Sequence, residues 1–398
     1  MRITTANSFD RSIDTLQQRQ QSLIEAQDRL TSGKKIARAS DDPTGAARVE
    51  RALAREARAD ASQRALEASR NSSTQAEAAL GQTGDLMQRA RELLVAAGNA
   101  TYDDSQRAAA ANELRGLRDQ MLTIANRGDG AGGWLFGAQG AAQPPFVDAP
   151  GGVQFRGTQG QLEAASGEPL PLSADGAAVF MQGAAGNGVF VTAPAAGNGP
   201  GAWVDSGRVT DPSAVTGDSY SVVFNVSGGN TTYAVLRNGT PTAITAAPYT
   251  AGQTIEFDGQ ALAVNGTPAT GDRFNTTPSA RNLSVFDALD AAIGALAKPG
   301  QSGAQIAQAV QTGLRDVDAS SATITAQRAR LGEVLNRTDA VEARIADGKV
   351  LAKSERSAAE DLDMVQAVSD FSTKQTSYDA ALKAYSMVQK LSLFDYIR

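Results

Sequence analysis

Cysteine and histidine are both missing from this chain. Without a thiol there is no disulfide, no cysteine nucleophile and no sulfur ligand for zinc. Without imidazole the usual acid–base group of neutral pH is gone as well. Long apolar runs are also lacking. No stretch approaches the ~20 residues that cross a bilayer, and the polar residues 1–10 are followed by no apolar leader core, so neither membrane insertion nor a cleaved signal peptide is expected. Proline is scarce in a patterned way. Of the 14, only Pro43 lies in residues 1–130 and only Pro299 in residues 281–398; the rest fall between Pro144 and Pro278. A proline inside a helix costs about 3 kcal/mol, so the order is helix, non-helix, helix. Charge is thin in the middle too: residues 134–280 carry 4 basic and 10 acidic side chains, which accounts for the whole net charge of −6. No basic patch stands out, which leaves a nucleic-acid role without an electrostatic footprint. The expected class is α+β, with long N- and C-terminal helices forming a shared coiled coil or helical bundle. Residues 1–133 and 281–398 are the helical regions and residues 134–280 an inserted β-rich surface region.

What is present begins with apolar periodicity. Phe9, Ile13, Leu16, Gln20, Leu23, Gln27 and Leu30 repeat at 4–3 spacing, the seam of a coiled coil with two polar breaks. Gly33 ends that helix with a left-handed cap. Asp42 then caps a second helix, with Pro43 in its first position, where a missing N–H costs nothing. The seam of this second helix runs through Ala76, Leu80, Thr83, Met87, Ala90, Leu94 and Ala97. A third, starting at Asp103-Asp104, has the spine Ala110, Leu114, Leu117, Met121 and Ile124. In the C-terminal block Ile324, Leu331, Val334, Thr338, Val341 and Ile345 form one seam. A second passes through Val365, Val368, Phe371, Gln375, Tyr378, Leu382, Tyr385 and Val388, and the chain closes near Leu391 and Phe394. Tyr220, Val222, Phe224 and Val226 alternate as a strand does. Asn238-Gly239, Asn265-Gly266 and Asp258-Gly259 read as tight hairpin turns. The glycine- and alanine-rich residues 183–201 read as a loop or a loose strand pair.

Three phrases carry a family resemblance. Leu30-Thr-Ser-Gly-Lys-Lys-Ile-Ala-Arg-Ala-Ser-Asp-Asp-Pro43 closely resembles the N-terminal signature of the flagellin superfamily. Leu117-Arg-Asp-Gln-Met-Leu-Thr-Ile-Ala-Asn126 with Gly133-Trp-Leu-Phe-Gly137 resembles its second conserved stretch. The end, from Leu335-Asn-Arg-Thr-Asp-Ala-Val-Glu342 to Ser392-Leu-Phe-Asp-Tyr-Ile397, resembles the hook-associated members. In the middle the resemblance is limited to Gly266-Thr-Pro-Ala-Thr-Gly-Asp-Arg-Phe274. Flagellins usually have Asp-Asp-Ala-Ala-Gly where this chain has Asp-Asp-Pro-Thr-Gly45, and they end on a leucine-rich tail. Both differences favour a hook-associated subunit, with the filament subunit flagellin as the alternative.

The resemblance implies a structural subunit of the bacterial flagellum, outside the cell at the junction of hook and filament. In the family the terminal helices pass unfolded through type III export and fold on assembly. The implied partners are further copies in a ring, the hook-side junction protein (hook-associated protein 1), flagellin, and an export chaperone that holds the C-terminal helix around Leu382, Val388, Leu391 and Phe394. The assembly seam would be Phe9, Ile13, Leu16, Leu23 and Leu30 against Val365, Val368, Tyr378, Leu382 and Tyr385.

Competing readings of single features are weaker. Asp41-Asp42 as a catalytic pair conflicts with their place on a capping turn, where adjacent carboxylates diverge. Tyr378, Tyr385, Phe371 and Phe394 sit at helical spacing, which makes them interface or core rather than a ligand-stacking row. An enzyme carried by the middle region would depend on Asp205, Asp211 or Asp218. Asn-X-Ser/Thr triplets such as Asn225-Val-Ser227 arise readily in an Asn/Thr-rich β region. No catalytic role, cofactor or metal is expected.

Overall fold

The computed structural model describes the backbone of residues 2–164 and 169–394 and the side chains of residues 10–164 and 169–387. Helix α1 (Arg2–Ser32) is followed by α2 (Pro43–Ala97) and α3 (Asp104–Ala125). A hairpin of β1 (Phe146–Ala149) and β2 (Gly152–Phe155), the short helix α4 (Gly176–Phe180) and strand β3 (Gly183–Ala184) lead into a β-rich stretch. Its strands are β4 (Phe190–Pro194), β5 (Ala202–Val204), β6 (Arg208–Val209), β7 (Tyr220–Ser227), β8 (Asn230–Arg237), β9 (Thr240–Pro241), β10 (Ala247–Pro248), β11 (Thr254–Phe257), β12 (Gln260–Gly266) and β13 (Arg273–Pro278). Strand β14 (Arg281–Leu283) returns the chain to α5 (Val285–Leu296), α6 (Gly303–Glu360) and α7 (Met364–Phe394). This is the expected α+β architecture of long terminal helices around a β-rich middle. Two compact units result: residues 1–64 with 341–398, and residues 65–340.

In the unit of residues 65–340 the helical core follows the apolar periodicity. The α2 seam from Ala76 to Ala97 and the α3 spine from Ala110 to Ile124 are buried throughout, together with Leu289 and Ile293 of α5 and Val317, Ile324 and Leu331 of α6. Small residues on α2 (Ala76, Ala79, Ala90, Ala97) let its neighbours approach closely. The segment after α3 joins the same core. Leu135 and Phe136 are buried, and Phe136, Phe146, Phe180 and Phe286 form an aromatic group with ring centroids 5.2–6.0 Å apart. Gly176 has to lack a side chain, since a Cβ there would lie 2.4 Å from the Phe136 carbonyl oxygen.

Polar groups fix the joints of this core. The Asn126 side chain donates to the Phe146 carbonyl (2.7 Å) and accepts from the Phe146 amide (2.9 Å), holding the β1–β2 hairpin to the end of α3. Arg118, nearly buried on α3, donates to Asp148 of β1 (2.8 Å) and Asp290 of α5 (3.2 Å). Its hydrogen bonds lower the Asp148 carboxyl below the ordinary range. Neighbouring Asp287 is pushed the other way, by burial first and then by the Asp290 charge. Asp103 caps α3 through the Gln106 amide, and Gln106 returns the bond to complete a capping box.

The β strands build a second core of Val204, Tyr220, Val222, Phe224, Val235, Ile255, Leu262, Val264 and Phe274. One sheet has the order β10-β8-β7-β13-β4, with β9 also on β8. The other has the order β11-β12-β5, with β6 also on β12. Asn238-Gly239 (φ +51 and +83) and Asp258-Gly259 (φ +41 and +72) are the tight turns their sequences suggest. Asn265-Gly266 is not a hairpin turn. It ends β12, where Gly266 pairs with Ala202 of β5 and a Cβ would strike the Gly201 carbonyl oxygen at 2.2 Å. Glycine serves close backbone approach there. The residue 183–201 stretch holds β3 and β4, the latter paired with β13.

Candidate assembly interface

In the unit of residues 1–64 and 341–398, α1 packs on α7, and the turn that leaves α1 lies beside the turn that enters α7. At Gly33 (φ +69) the chain leaves α1. The Gly33 carbonyl accepts from the Leu362 amide (3.0 Å), and the Lys35 amide donates to the Glu360 carbonyl (2.7 Å). Asp42 precedes the first residue of α2, Pro43. Its carboxylate accepts from the amides of Gly45 (2.9 Å) and Thr44 (3.1 Å) and from the Thr44 hydroxyl (2.8 Å), which together hold it below the ordinary carboxyl range. Gly45 lies tight against two side chains. A Cβ there would lie 2.4 Å from Ile36 Cδ1 and 2.5 Å from Asp42 Oδ2. Asp41 serves a different amide, that of Arg38 (2.9 Å). The two aspartates are thus each committed to a turn. On the opposite turn, Asp363 accepts from the amides of Val365 (3.0 Å) and Gln366 (3.2 Å) at the start of α7.

Little apolar surface is hidden here. Among the described residues only Ala26, Ile36, Ala52, Val341 and Ala352 are buried hydrophobics of this unit. Lateral contact between the first part of α2 and the last part of α6 is carried by ion pairs: Arg55–Glu355, Lys349–Asp60 (2.5 Å) and Arg356–Glu56 (2.9 Å). The Lys349 hydrogen bond draws the Asp60 carboxyl below its ordinary value. Between α1 and α7 the polar links reach backbone carbonyls: Arg19 donates to Ser377 (2.9 Å) and Lys374 to Ser22 (3.4 Å).

The assembly-seam residues divide into two groups. On α1, Ile13, Leu16, Leu23 and Leu30 are half-buried, while Gln20 and Gln27 are exposed. On α7 the half-buried stripe is Ala367, Phe371, Lys374, Tyr378, Ala381 and Tyr385. It contains Tyr378 and Tyr385 but not Val365, Val368 or Leu382, which are 84%, 54% and 40% exposed. A 4–3 count can be drawn through either flank of a helix, and contact with α1 selects one flank only. The side chains of Phe9, Val388, Leu391 and Phe394 lie outside the described residues. Exposed apolar side chains that periodicity did not single out include Ile24 on α1 and Val350 and Leu351 on α6, the last two 67% and 60% exposed. The signal that could have found them is the adjacent apolar pair (Leu23-Ile24, Val350-Leu351), since neighbours on a helix cannot share one face.

Elsewhere, the carboxylates an enzyme reading would need hold turns. Asp205 accepts from the Gly207 and Ala263 amides (3.0 Å each) and Asp211 from the Ser213 amide (2.9 Å), while Asp218 pairs with Arg237 and Asn238. The Asp211 and Asp218 carboxyls are lowered by their hydrogen bonds, led by Ser213 and Asn238 respectively. Among the described residues no cluster of three or more acidic side chains could hold a metal ion, and no helix is long and apolar enough to cross a membrane.

Known families match both helical blocks. The bacterial flagellin N-terminal helical region matches residues 3–140 and the bacterial flagellin C-terminal helical region residues 314–397. These two matches cover more than half of the chain, which belongs to the flagellin superfamily. Within it the similarities are to hook-associated proteins. The D2-like domain of flagellar hook-associated protein 1 matches residues 195–278, which extends the likeness across the second core. Flagellar hook-associated protein 3 of Escherichia coli is 24% identical over 402 residues, covering 99% of each chain. Its counterpart in Salmonella typhimurium is 30% identical over 184 residues, 45% of this chain and 57% of that protein. The crystal structure of the flagellar junction protein FlgL from Legionella pneumophila is 26% identical with a TM-score of 0.65, over 70% of this chain and 94% of that one.

Proposed function

We propose that this chain is a structural subunit of the bacterial flagellum that works as an adapter at the hook–filament junction, on which flagellin polymerises. The observation that carries this reading is the uncovered apolar surface of residues 1–64 and 341–398, at Ile24, Val350, Leu351, Val365 and Val368. Isolated exposed apolar residues are ordinary, but so many in a unit with so little core mark a surface that other chains cover. The names of the relatives, hook-associated protein 3 and junction protein, support the location.

In this mechanism Ile13, Leu16, Leu23 and Leu30 join α1 to Tyr378 and Tyr385 of α7, and Val365, Val368 and Leu382 meet neighbouring copies in a ring. The hook-side junction protein lies below and flagellin above. An export chaperone holds α7 around Leu382, Val388, Leu391 and Phe394 until type III export, and α1 and α7 become firm only on assembly. Residues 134–280 form the outer surface, between helical assembly regions 1–133 and 281–398. No chemistry is catalysed.

The test is complementation of a deletion strain with the Val365→Asp/Val368→Asp double variant. The expected result is that the variant is exported but absent from flagella, with monomeric flagellin shed into the medium. Wild-type motility would overturn the seam, and filaments in the uncomplemented deletion strain would overturn the adapter role.

A further inference from the structure

Within residues 65–340, α6 forms one wall of a groove that runs beside residues 315–337, about 33 Å of helix at ~1.5 Å per residue. Two hollows of about 630 and 410 Å³ adjoin at Ala178, Gln327 and Arg330, where the Gln327 side chain donates to the Ala178 carbonyl (3.4 Å). On the α6 side of the first, the small residues Ala319, Ala322 and Ala326 lie among Arg315, Asp318, Thr323, Gln327 and Arg330. Across from them stand Gln182, Asn187 and Arg281 beside the paired strands β3 and β14.

Charge in the groove is unbalanced once internal partners are assigned. Asp318 is taken by Arg91 (2.9 Å), and Arg315 by Asp316 (2.8 Å) and the Thr192 carbonyl (2.8 Å). Asp175 is occupied by the Gly160 amide (2.8 Å) and by capping α4 through the Ala178 amide (3.2 Å). Among the described residues Arg337 donates to a neutral acceptor, the Pro169 carbonyl (2.9 Å). Arg281 and Arg330 are exposed and have no carboxylate partner among the described residues. Against these three cations the walls hold two carboxylates with no cationic partner among the described residues, Asp175 and Glu333, and both lie in the second hollow, not in the one lined by Arg281. In the first hollow the guanidinium groups of Arg281 and Arg330 meet no carboxylate that lacks a cation of its own, and such groups select carboxylates.

We propose that the first of these hollows docks an acidic peptide segment of a partner protein. Arg281 and Arg330 bind its carboxylates beside α6. The inference does not depend on the junction role, because it rests on the groove's own charge and shape.

The test uses the full-length protein and three fluorescein-labelled decapeptides, (Glu-Gly)5, (Gln-Gly)5 and (Lys-Gly)5, followed by anisotropy. The acidic peptide is expected to bind, with affinity falling as salt rises. The Arg281→Glu/Arg330→Glu variant, with circular dichroism unchanged, should bind at least tenfold more weakly. Glu333→Gln should bind severalfold more tightly. No binding of the acidic peptide, equal binding of the neutral one, or an affinity untouched by the double reversal would each overturn the proposal. So would self-association of the wild-type chain that the double reversal abolishes in the absence of peptide binding, since the groove would then belong to a second copy.

Discussion

Helix α6 spends residues 303–340 in one unit and 341–360 in the other, and the two stretches are held by different forces. The first buries Val317, Ile324 and Leu331 in the helical core. The second buries only Val341 and Ala352 and relies on Arg356–Glu56, Lys349–Asp60 and Arg55–Glu355. Apolar burial is short-ranged and insensitive to salt, whereas exposed ion pairs contribute little and are screened. One stretch can therefore stand by itself, and the other is held more weakly; in the proposed role, partners complete it. The same contrast holds between α2 near Leu80 and α2 near Ala52.

The sharpest way to break this comparison is a pair of truncations. Phe286→Ala removes a ring shared by Phe146 and Phe180 and is expected to destabilise residues 65–340 by about 3–5 kcal/mol. Ile24→Ala should change the monomer's stability by less than about 0.5 kcal/mol. Urea unfolding of the two variants measures both, and equal losses would erase the distinction. Next in size, Arg118→Met leaves Asp148 and Asp290 without their shared cation. The carboxylates are roughly half exposed, so the expected loss is about 1–3 kcal/mol, read by the same titration.

A smaller effect is expected from excising residues 186–279. The Ala185 amide donates to the Ala280 carbonyl (3.1 Å), so the cut ends already meet, and the second core leaves as a whole. Helical circular dichroism and a cooperative melt should persist; loss of both would show that the two cores depend on one another.

The smallest effect is electrostatic; it touches both units and should show first in the one with less apolar core. Asp60 and Asp148 have folded values below the unfolded ones. Their stabilisation is full above the ordinary carboxyl value of about 3.9 and is lost as pH falls through the folded values. Asp287, raised by burial, runs the other way: its contribution is full below the ordinary value and lost as pH rises through the folded one, which offsets part of the acid loss in residues 65–340. Acid, or 1 M salt at neutral pH, should therefore open amides of residues 43–64 and 341–360 before those of residues 76–125, as hydrogen exchange would report.

Much of the helical architecture was legible from spacing alone. Buried seams such as Ala76 to Ala97 are intrinsic to a 3.6-residue period, and Asp42-Pro43-Thr-Gly45 specifies its own turn, with Asp42 bonding amides within three residues. The second core was legible in its alternation and in two of three Gly turns. It was less so at Asn265-Gly266, because glycine answers to close approach as readily as to a turn. The α7 seam was legible as a helix but not as a face, since Val365 and Val368 look the same as Phe371 and Tyr378 until α1 is placed. The Arg281–Arg330 groove left no trace in local sequence, because its cations lie 49 positions apart.

By itself, then, the order of residues determined where helices begin and end, which side chains form continuous apolar stripes, and which family the chain belongs to. These depend on neighbours within a few positions. Only the tertiary structure decided which stripe is covered, which carboxylates are committed to turns and which arginines face a groove without counter-charge. Those outcomes depend on the distance between segments far apart in the chain, and local propensity carries no information about that distance.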